Sequence, residues 1–156
     1  MSLKKLLAII FTMIFLFSII YFTQNFVKHK SNAIAKVFQV VDGDTIELAN
    51  GQKVRLLGID APEKWQQYYE EAGSRLEQLV KGKEVFLEKD VSNRDSYGRL
   101  LRYVYIGSLF VNLQLVKEGY ARALVTAPNL KYQTIFLKAE NEARAKRIGI
   151  WSSVKS

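Results

Sequence analysis

Three short runs rich in β-branched and aromatic residues follow one another between residues 35 and 57, each separated from the next by a turn-forming dipeptide. The runs are 35–41 (AKVFQVV), 45–48 and 53–57, and the dipeptides are Asp42-Gly43 and Asn50-Gly51. Such dipeptides are strong indicators of tight hairpin turns, because glycine accepts a positive φ angle there. The sequence therefore predicts two consecutive β-hairpins at the start of a folded region.

The rest of the chain alternates helical and strand-like patterns. We predict strands at 84–89 and 100–106, an extended piece at 120–125, and helices at 65–80, 109–117 and 132–147. Five short strands with tight turns and about three helices indicate an α+β, mainly β protein built on a small closed barrel. In the last helix we expect Ile135, Ala139 and Ala143 to form the buried stripe.

The first thirty residues differ from the rest. They carry four basic residues and no acid, whereas 31–156 carries 19 basic and 15 acidic residues, a net charge of +4. Residues 6–22 form an uncharged apolar run that as a helix would reach about 26 Å, against ~30 Å for a hydrocarbon core. We therefore divide the chain into an N-terminal hydrophobic helix, 1–30, and a folded domain, 31–156. The helix is either a signal peptide or an uncleaved signal anchor; the anchor is favoured because the cleavage-like Ala33-Ile34-Ala35 lies far from the run.

Composition excludes several kinds of chemistry. The chain has no cysteine, and its one histidine, His29, precedes the domain. Thiol catalysis, a Ser-His-Asp triad and a zinc site of the usual His/Cys type are therefore unavailable. Any catalysis in the domain must use carboxylates, arginines, hydroxyl groups and a metal ion.

Carboxylates and arginines are concentrated in the runs DGDT (42–45), RLLGIDAPE (55–63) and DSYGR (95–99). Asp44 and Asp60 follow a turn and a strand, so neighbouring strands could bring both to one rim as an oxygen-only site for Ca²⁺ or Mg²⁺. Arg55 and Arg99 suit a phosphate group, and Glu63 could position or deprotonate a water molecule. Singly, each residue has an ordinary structural explanation: a turn aspartate, an exposed arginine or a helix-start glutamate.

The aromatic residues near Glu63 allow two interpretations. Trp65, Tyr68 and Tyr69 could stack on bases, as could Tyr97, but aromatic residues at helical spacing usually lie in a core. For Trp65, Tyr68 and Tyr69 we therefore expect core positions.

Taken together, the runs DGDT, RLLGIDAPE and DSYGR, with Gly149-Ile150-Trp151 near the end, resemble the staphylococcal nuclease (thermonuclease) family over about 35–151. The resemblance implies an OB-fold barrel and calcium-dependent cleavage of DNA and RNA with little sugar specificity, leaving 3′-phosphates. By position, it implies that Asp44, Asp60 and the Ala61 carbonyl bind calcium. The remaining roles it implies are phosphate binding by Arg55 and Arg99, general base for Glu63, and phosphate contact for Tyr97.

One departure from the family stands out. Residues 123–128 (ALVTAP) lack the tyrosines that pack nucleotide bases in the family's best-known secreted member, so the same base preference is not expected. We expect a monomeric endonuclease that prefers single strands, held outside the cell by the N-terminal segment or secreted. The alternative is a noncatalytic, membrane-tethered module that binds nucleic acid through its OB-fold. A purely structural barrel is the least favoured interpretation.

Overall fold

The computed structural model describes residues 5, 10–19, 21 and 33–152. The chain divides into two compact units, Met1–Asn32 and Ala33–Ser156. In the first unit residues 10–19 are helical and exposed, as the prediction of an N-terminal hydrophobic helix requires. No helix among the described residues has the length and apolar character needed to cross a membrane. The other residues of the apolar run, 6–9, 20 and 22, lie outside the described part.

A five-stranded barrel forms the centre of the second unit. The described part of this unit contains these strands in chain order, of which β1, β2, β3, β5 and β6 form the barrel: β1 Ala33–Asp42, β2 Thr45–Leu48, β3 Lys53–Leu56, β4 Ile59–Asp60, β5 Glu84–Glu88, β6 Leu100–Ile106, β7 Leu109–Phe110 and β8 Arg122–Ala123. Antiparallel pairing joins β3, β2, β1, β5 and β6 in that order, and parallel pairing of β3 with β6 closes the barrel. The short β7 extends β6, while β4 and β8 pair separately.

Three α-helices surround this barrel: α1 Tyr69–Val80, α2 Val111–Lys117 and α3 Gln133–Ala145, followed by a 3₁₀ turn at Gly149–Trp151. The predicted α+β class with five barrel strands and about three helices is confirmed. The first helix begins later than its predicted start at Trp65, because Tyr68 adopts a left-handed conformation with φ of 71°. Residues 109–110 are strand rather than helix, so α2 also begins later than predicted.

One core fills the barrel and the space under the helices. All five barrel strands contribute fully buried side chains, among them Val37, Ile46, Val54, Val85 and Val104. The prediction for α3 was wrong by one position: Ile135 is 39% exposed, whereas Phe136 is buried with Ala139 and Ala143. Phe136 occupies the core because its ring packs at a tilt against those of Tyr103 and Phe110, an aromatic cluster that helical periodicity cannot reveal.

The expectation of a core position for Trp65 was also wrong. Its side chain is 84% exposed, because residues 64–68 form turns before α1 and present the indole to solvent. Tyr68 and Tyr69 are half-buried, so neither is a full member of the core. Trp65 lies on the loop that follows Glu63 and is therefore available to contact a ligand.

Two glycines determine how the site-bearing turns pack. Gly43, in the β1–β2 hairpin, does not have the positive φ angle expected of it. Its role is close approach, since a Cβ there would lie 2.6 Å from the Ala61 Cβ and 2.9 Å from that of Ala72. Gly58 has φ of +76°, and a Cβ there would lie 2.3 Å from the Phe136 ring. At both positions a Cβ would therefore overlap neighbouring atoms, so only glycine fits there.

A buried asparagine holds the turn between β3 and β4. The Asn112 side chain on α2 is fully buried, donates to the Leu57 carbonyl at 2.8 Å and accepts from the Val104 amide at 2.9 Å. A buried amide with both ends hydrogen-bonded specifies one arrangement of its neighbours. Asn112 therefore fixes the segment that carries Arg55 and Asp60 against the barrel.

Candidate active site

The β2–β3 hairpin brings the first two charged residues together. Thr45 and Arg55 are directly opposite each other in the antiparallel register, so their side chains leave the same face of the sheet. Asp44, one residue before β2, lies with its Oδ2 2.9 Å from Arg55 Nη2. The same Nη2 donates to Asp60 Oδ1 at 3.2 Å. The guanidinium group therefore bridges two carboxylates that are 16 positions apart in the chain.

Protein acceptors occupy both η nitrogens of Arg55. Nη1 donates to the carbonyl groups of Leu56 at 2.7 Å and Ile59 at 2.8 Å, while Nη2 faces the two carboxylates. The Arg55 side chain is only 13% exposed. Its guanidinium is consequently held rigidly, and its η nitrogens can reach a phosphate only if they leave some of these partners.

Asp44 is buried, and several hydrogen-bond donors are directed at it. Its Oδ2 accepts from the Ala61 amide at 2.9 Å, and its Oδ1 accepts from Thr45 Oγ1 at 3.2 Å. Burial raises the pKa of Asp44 to about 6, although the Arg55 charge and the Ala61 hydrogen bond act in the opposite direction. The free-energy cost of desolvating the ionised Asp44 carboxylate thus exceeds the stabilisation that its protein partners provide. Additional positive charge nearby would stabilise the ionised form.

Arg99 directly precedes β6 and reaches the same cluster because β6 pairs with β3. Its Nη1 donates to Thr45 Oγ1 at 3.3 Å, and Asp95 accepts from its Nε at 2.7 Å and from its amide at 2.9 Å. Burial alone would raise the pKa of Asp95, but these hydrogen bonds from Arg99 outweigh it and the net shift is downward. The guanidinium lies over the Tyr97 ring, 5.4 Å from its centroid, and that ring is 84% exposed.

Glu63 lies beside this cluster on an exposed loop. Its amide donates to Gln66 Oε1 at 2.9 Å and its carbonyl accepts from the Gln66 amide at 2.7 Å, so the loop backbone is fixed while the carboxylate faces solvent. Glu63, Asp60 and Ala61 line one open pocket of about 340 Å³. A water molecule or a phosphate group in that pocket would therefore meet both carboxylates.

Comparison with known proteins identifies the family. The family model described as "Staphylococcal nuclease homologue" matches residues 53–153. The thermonuclease of Staphylococcus intermedius is 38% identical over 124 residues, which cover 74% of each chain. The chain belongs to the staphylococcal nuclease family. The thermonuclease of Staphylococcus hyicus is 38% identical over 127 residues, covering 76% of this chain and 75% of that protein. Endonuclease YncB of Bacillus subtilis strain 168 is 43% identical over 125 residues, covering 73% of this chain and 59% of that protein.

The fold places all the residues singled out by the family resemblance around one rim. Asp44, Arg55 and Asp60 are in direct contact, and Ala61 joins them through its amide. Arg99 is linked to them through Thr45. Glu63 lines a pocket together with Asp60 and Ala61, and Tyr97 lies under Arg99. The roles proposed for these residues remain predictions.

Two residues of this site were not indicated by the sequence alone. Thr45 connects Asp44 to Arg99, and Asp95 fixes the Arg99 side chain and the turn before it. Thr45 lies in the run DGDT and Asp95 in the run DSYGR. An aspartate at the first position of a turn, four residues before an arginine, was the available indication for Asp95.

The carboxylate oxygens at this rim are the type of ligand that hard divalent cations prefer. Asp44 and Asp60 already direct oxygen atoms at one positively charged group, Arg55 Nη2. Among residues 33–152 no group of three or more His, Cys, Asp or Glu side chains could hold a metal ion. Two carboxylates, a main-chain carbonyl and solvent or phosphate oxygens would have to complete the coordination, as calcium permits.

Proposed function

We propose that this protein is an endonuclease that hydrolyses phosphodiester bonds of DNA and RNA. One observation carries the proposal: a single rim joins two carboxylates and two arginines, with a solvent-facing glutamate in the adjoining pocket. Membership of the staphylococcal nuclease family supports the same reaction, since its relatives are named thermonuclease and endonuclease. Cleavage is expected to leave a 3′-phosphate.

Calcium is the proposed cofactor, held by Asp44, Asp60 and the Ala61 carbonyl. When bound, it would neutralise part of the phosphate charge and polarise a phosphorus–oxygen bond. The raised pKa of Asp44 supports a cation at this position, since burial disfavours the charged carboxylate when only Arg55 balances it. With so few protein ligands the affinity should be low, which suits the calcium-rich extracellular environment.

Of the two arginines proposed to bind phosphate, Arg99 is better placed to do so without breaking its existing hydrogen bonds. Asp95 fixes its Nε, and Thr45 accepts from its Nη1, which leaves Nη2 for a phosphate oxygen. Arg55 Nη2 would become available once a divalent cation has taken over the charge of Asp44 and Asp60. The two guanidinium groups would then stabilise the negative charge that develops on the equatorial oxygens during in-line attack.

Glu63 is the proposed base for the attacking water. Its carboxylate faces the pocket next to Asp60, where it can accept a proton as the water oxygen bonds to phosphorus. The bond to the 5′ oxygen then breaks and that oxygen takes up a proton from solvent, leaving a 5′-hydroxyl on one product and a 3′-phosphate on the other. We expect single strands to react fastest, because the water must reach the backbone from one open side.

The alternative is a noncatalytic nucleic-acid-binding module. The test uses the full chain with single-stranded DNA and RNA in calcium, in magnesium and in excess chelator. Glu63→Gln is the test variant, and Glu142→Gln, an exposed residue on α3, is the matched control. Calcium-dependent cleavage lost only in Glu63→Gln supports the enzyme. Binding without cleavage under every condition contradicts the enzyme and leaves the module.

An uncleaved N-terminal anchor, with the domain outside the cell, remains our proposal for localisation. Cleavage after Ala35 would remove three of the four positions at which β1 pairs with β5. A processed chain would therefore lose part of the barrel wall, which argues for retention of the segment. The intact mass of the protein from a membrane fraction tests this: the full-length mass supports the anchor, and a start near Lys36 contradicts it.

A further inference from the structure

A pocket next to the proposed catalytic rim is lined by an arginine, Arg122, that has no part in the proposed catalysis. This pocket of about 340 Å³, called here the Arg122 pocket, is lined by residues 60–63 and 66–68, by Arg122 and by Ile150. Its volume lies within the ~300–1,000 Å³ range of ligand-binding pockets. Arg122 is the one cationic side chain among these lining residues, and Asp60 and Glu63 supply negative charge.

The backbone places Arg122 beside the proposed metal ligand. Asp60 and Arg122 are directly opposite each other in the antiparallel β4–β8 pair, so both side chains leave the same face. The Arg122 guanidinium lies over the Trp151 ring, 5.6 Å from its centroid. Trp151 is 5% exposed and therefore fixed, which gives the arginine a rigid surface to lie against.

The charge of Arg122 is not neutralised by an ion pair within the described part of the domain. By contrast Arg75, Arg99 and Arg144 are paired with Glu118, Asp95 and Glu140. Arg144 shares the Trp151 ring with Arg122, at 3.8 Å from its centroid, yet its charge is balanced. An exposed arginine held against a ring in a pocket, and in no ion pair with the described acidic residues, is suited to bind an anion that arrives with the substrate.

A nucleic-acid strand supplies that anion at a defined place. If the scissile phosphate lies at Asp44, Arg55 and Arg99, the strand presents another phosphate one nucleotide away on either side. Tyr97 and Arg99 lie on one part of the rim, and the Arg122 pocket adjoins Asp60 and Glu63. A neighbouring phosphate that enters this pocket would meet Arg122 while the scissile phosphate stays at the rim.

We propose that Arg122 binds the backbone phosphate adjacent to the scissile one, which makes the Arg122 pocket a second phosphate subsite for the strand. The proposal rests on the proposed nuclease function. Arg122 positions the substrate and takes no part in bond breaking. Its loss should therefore raise KM and leave kcat nearly unchanged.

The first experiment measures the salt dependence of equilibrium binding of single-stranded DNA by full chains that carry Glu63→Gln. Adding Arg122→Gln should weaken binding about tenfold, as expected for one charge-assisted contact. It should also lower the slope of log K against log salt by ~0.7, the value for one phosphate on a single strand. The matched control is Arg144→Gln, which should change neither quantity. Arg122→Lys should recover part of the slope.

The second experiment identifies the phosphate. An oligonucleotide with one preferred cleavage position is made with a neutral methylphosphonate linkage one nucleotide to the 5′ or the 3′ side of it. On one of these two substrates the roughly tenfold rise in KM caused by Arg122→Gln should disappear, because the charge that it binds is already absent. A KM ratio that stays the same on both substrates would overturn the proposal.

The outcomes separate this inference from the nuclease proposal. If the chain cleaves DNA but Arg122→Gln and Arg144→Gln have equal effects on the slope, only the subsite is wrong. If the chain binds but never cleaves, the nuclease proposal fails, and the salt slopes still show whether Arg122 contacts a phosphate. Equal thermal unfolding midpoints for the variants exclude a folding defect as the cause.

Discussion

Arg55 Nη2 and Asp44 Oδ2 lie 2.9 Å apart in the most buried ion pair of the rim, with side chains 13% and 10% exposed. Breaking a buried pair by removing one partner leaves an uncompensated charge and typically costs 3–5 kcal/mol. The stability of the fold should therefore depend on whether the proposed metal site is occupied, because a bound cation could replace the charge of Arg55.

We expect Arg55→Gln to lower the free energy of unfolding by about 3 kcal/mol in the presence of chelator. Calcium should restore more stability to this variant than to the unsubstituted protein, since Asp44 then lacks its other cation. Urea unfolding at constant pH with and without calcium measures both quantities. The control is Lys81→Gln, whose exposed pair with Glu77 should contribute at most ~1 kcal/mol. Equal losses for the two variants would contradict the prediction.

Asp44 should give the metal-free protein an unusual pH dependence. Its folded-state pKa of about 6 lies above the ordinary value of 3.8, so the carboxyl group contributes stability below pH 3.8 and loses it as pH rises through 6. In chelator, the protein should therefore lose about 2 kcal/mol of stability relative to Asp44→Asn between pH 4 and pH 7. Parallel urea titrations of the two proteins check this, and a difference that is independent of pH would rule it out.

Trp65 should report nucleic-acid binding through its fluorescence. The chain has two tryptophans, and Trp65 is 84% exposed whereas Trp151 is 5% exposed. If the indole stacks on a base, single-stranded DNA should quench its emission in a Glu63→Gln background, and Trp65→Ala should weaken binding by about 1–3 kcal/mol. Trp65→Phe should retain part of that affinity. Undiminished emission at saturating DNA would show that no base contacts Trp65.

Asp95 should act on catalysis through Arg99. Asp95→Asn weakens the 2.7 Å contact to Arg99 Nε, a charge-assisted hydrogen bond worth about 1.5–3 kcal/mol. We expect kcat/KM to fall roughly 10- to 100-fold, the same range of energy converted to a rate. Adding Asp95→Asn to Arg99→Ala should cause little further loss, because both remove one function. A fully additive double variant would mean that Asp95 acts elsewhere.

Local patterns in the sequence predicted most of the strands and turns, and they singled out the residues that the fold gathers at the rim. Asn50-Gly51 predicted a turn, and Gly51 does have a positive φ angle, of 79°. The runs DGDT, RLLGIDAPE and DSYGR contain every residue that the fold gathers at the rim. Turn formation and strand propensity depend on neighbouring residues, so one sequence carries that information.

Periodicity was a poorer guide to burial. It assigned Ile135 to the stripe that Phe136 in fact occupies, and it placed Trp65 in a core that its loop does not reach. A helical pattern identifies which residues share a face, but the neighbouring elements determine which face is covered. For α3 those neighbours are Tyr103 and Phe110, which precede Phe136 by more than 25 positions.

By itself, the sequence determined the five barrel strands, the tight turns and the family, and it singled out the carboxylates and arginines of the rim. Only the tertiary structure decided that Arg99 meets Thr45, 54 positions away, because parallel pairing of β3 with β6 closes the barrel between them. It likewise decided that Arg122 lies opposite Asp60, through the pairing of β4 with β8. Such contacts depend on chain closure over long loops, and no local residue pattern records which distant strands will pair.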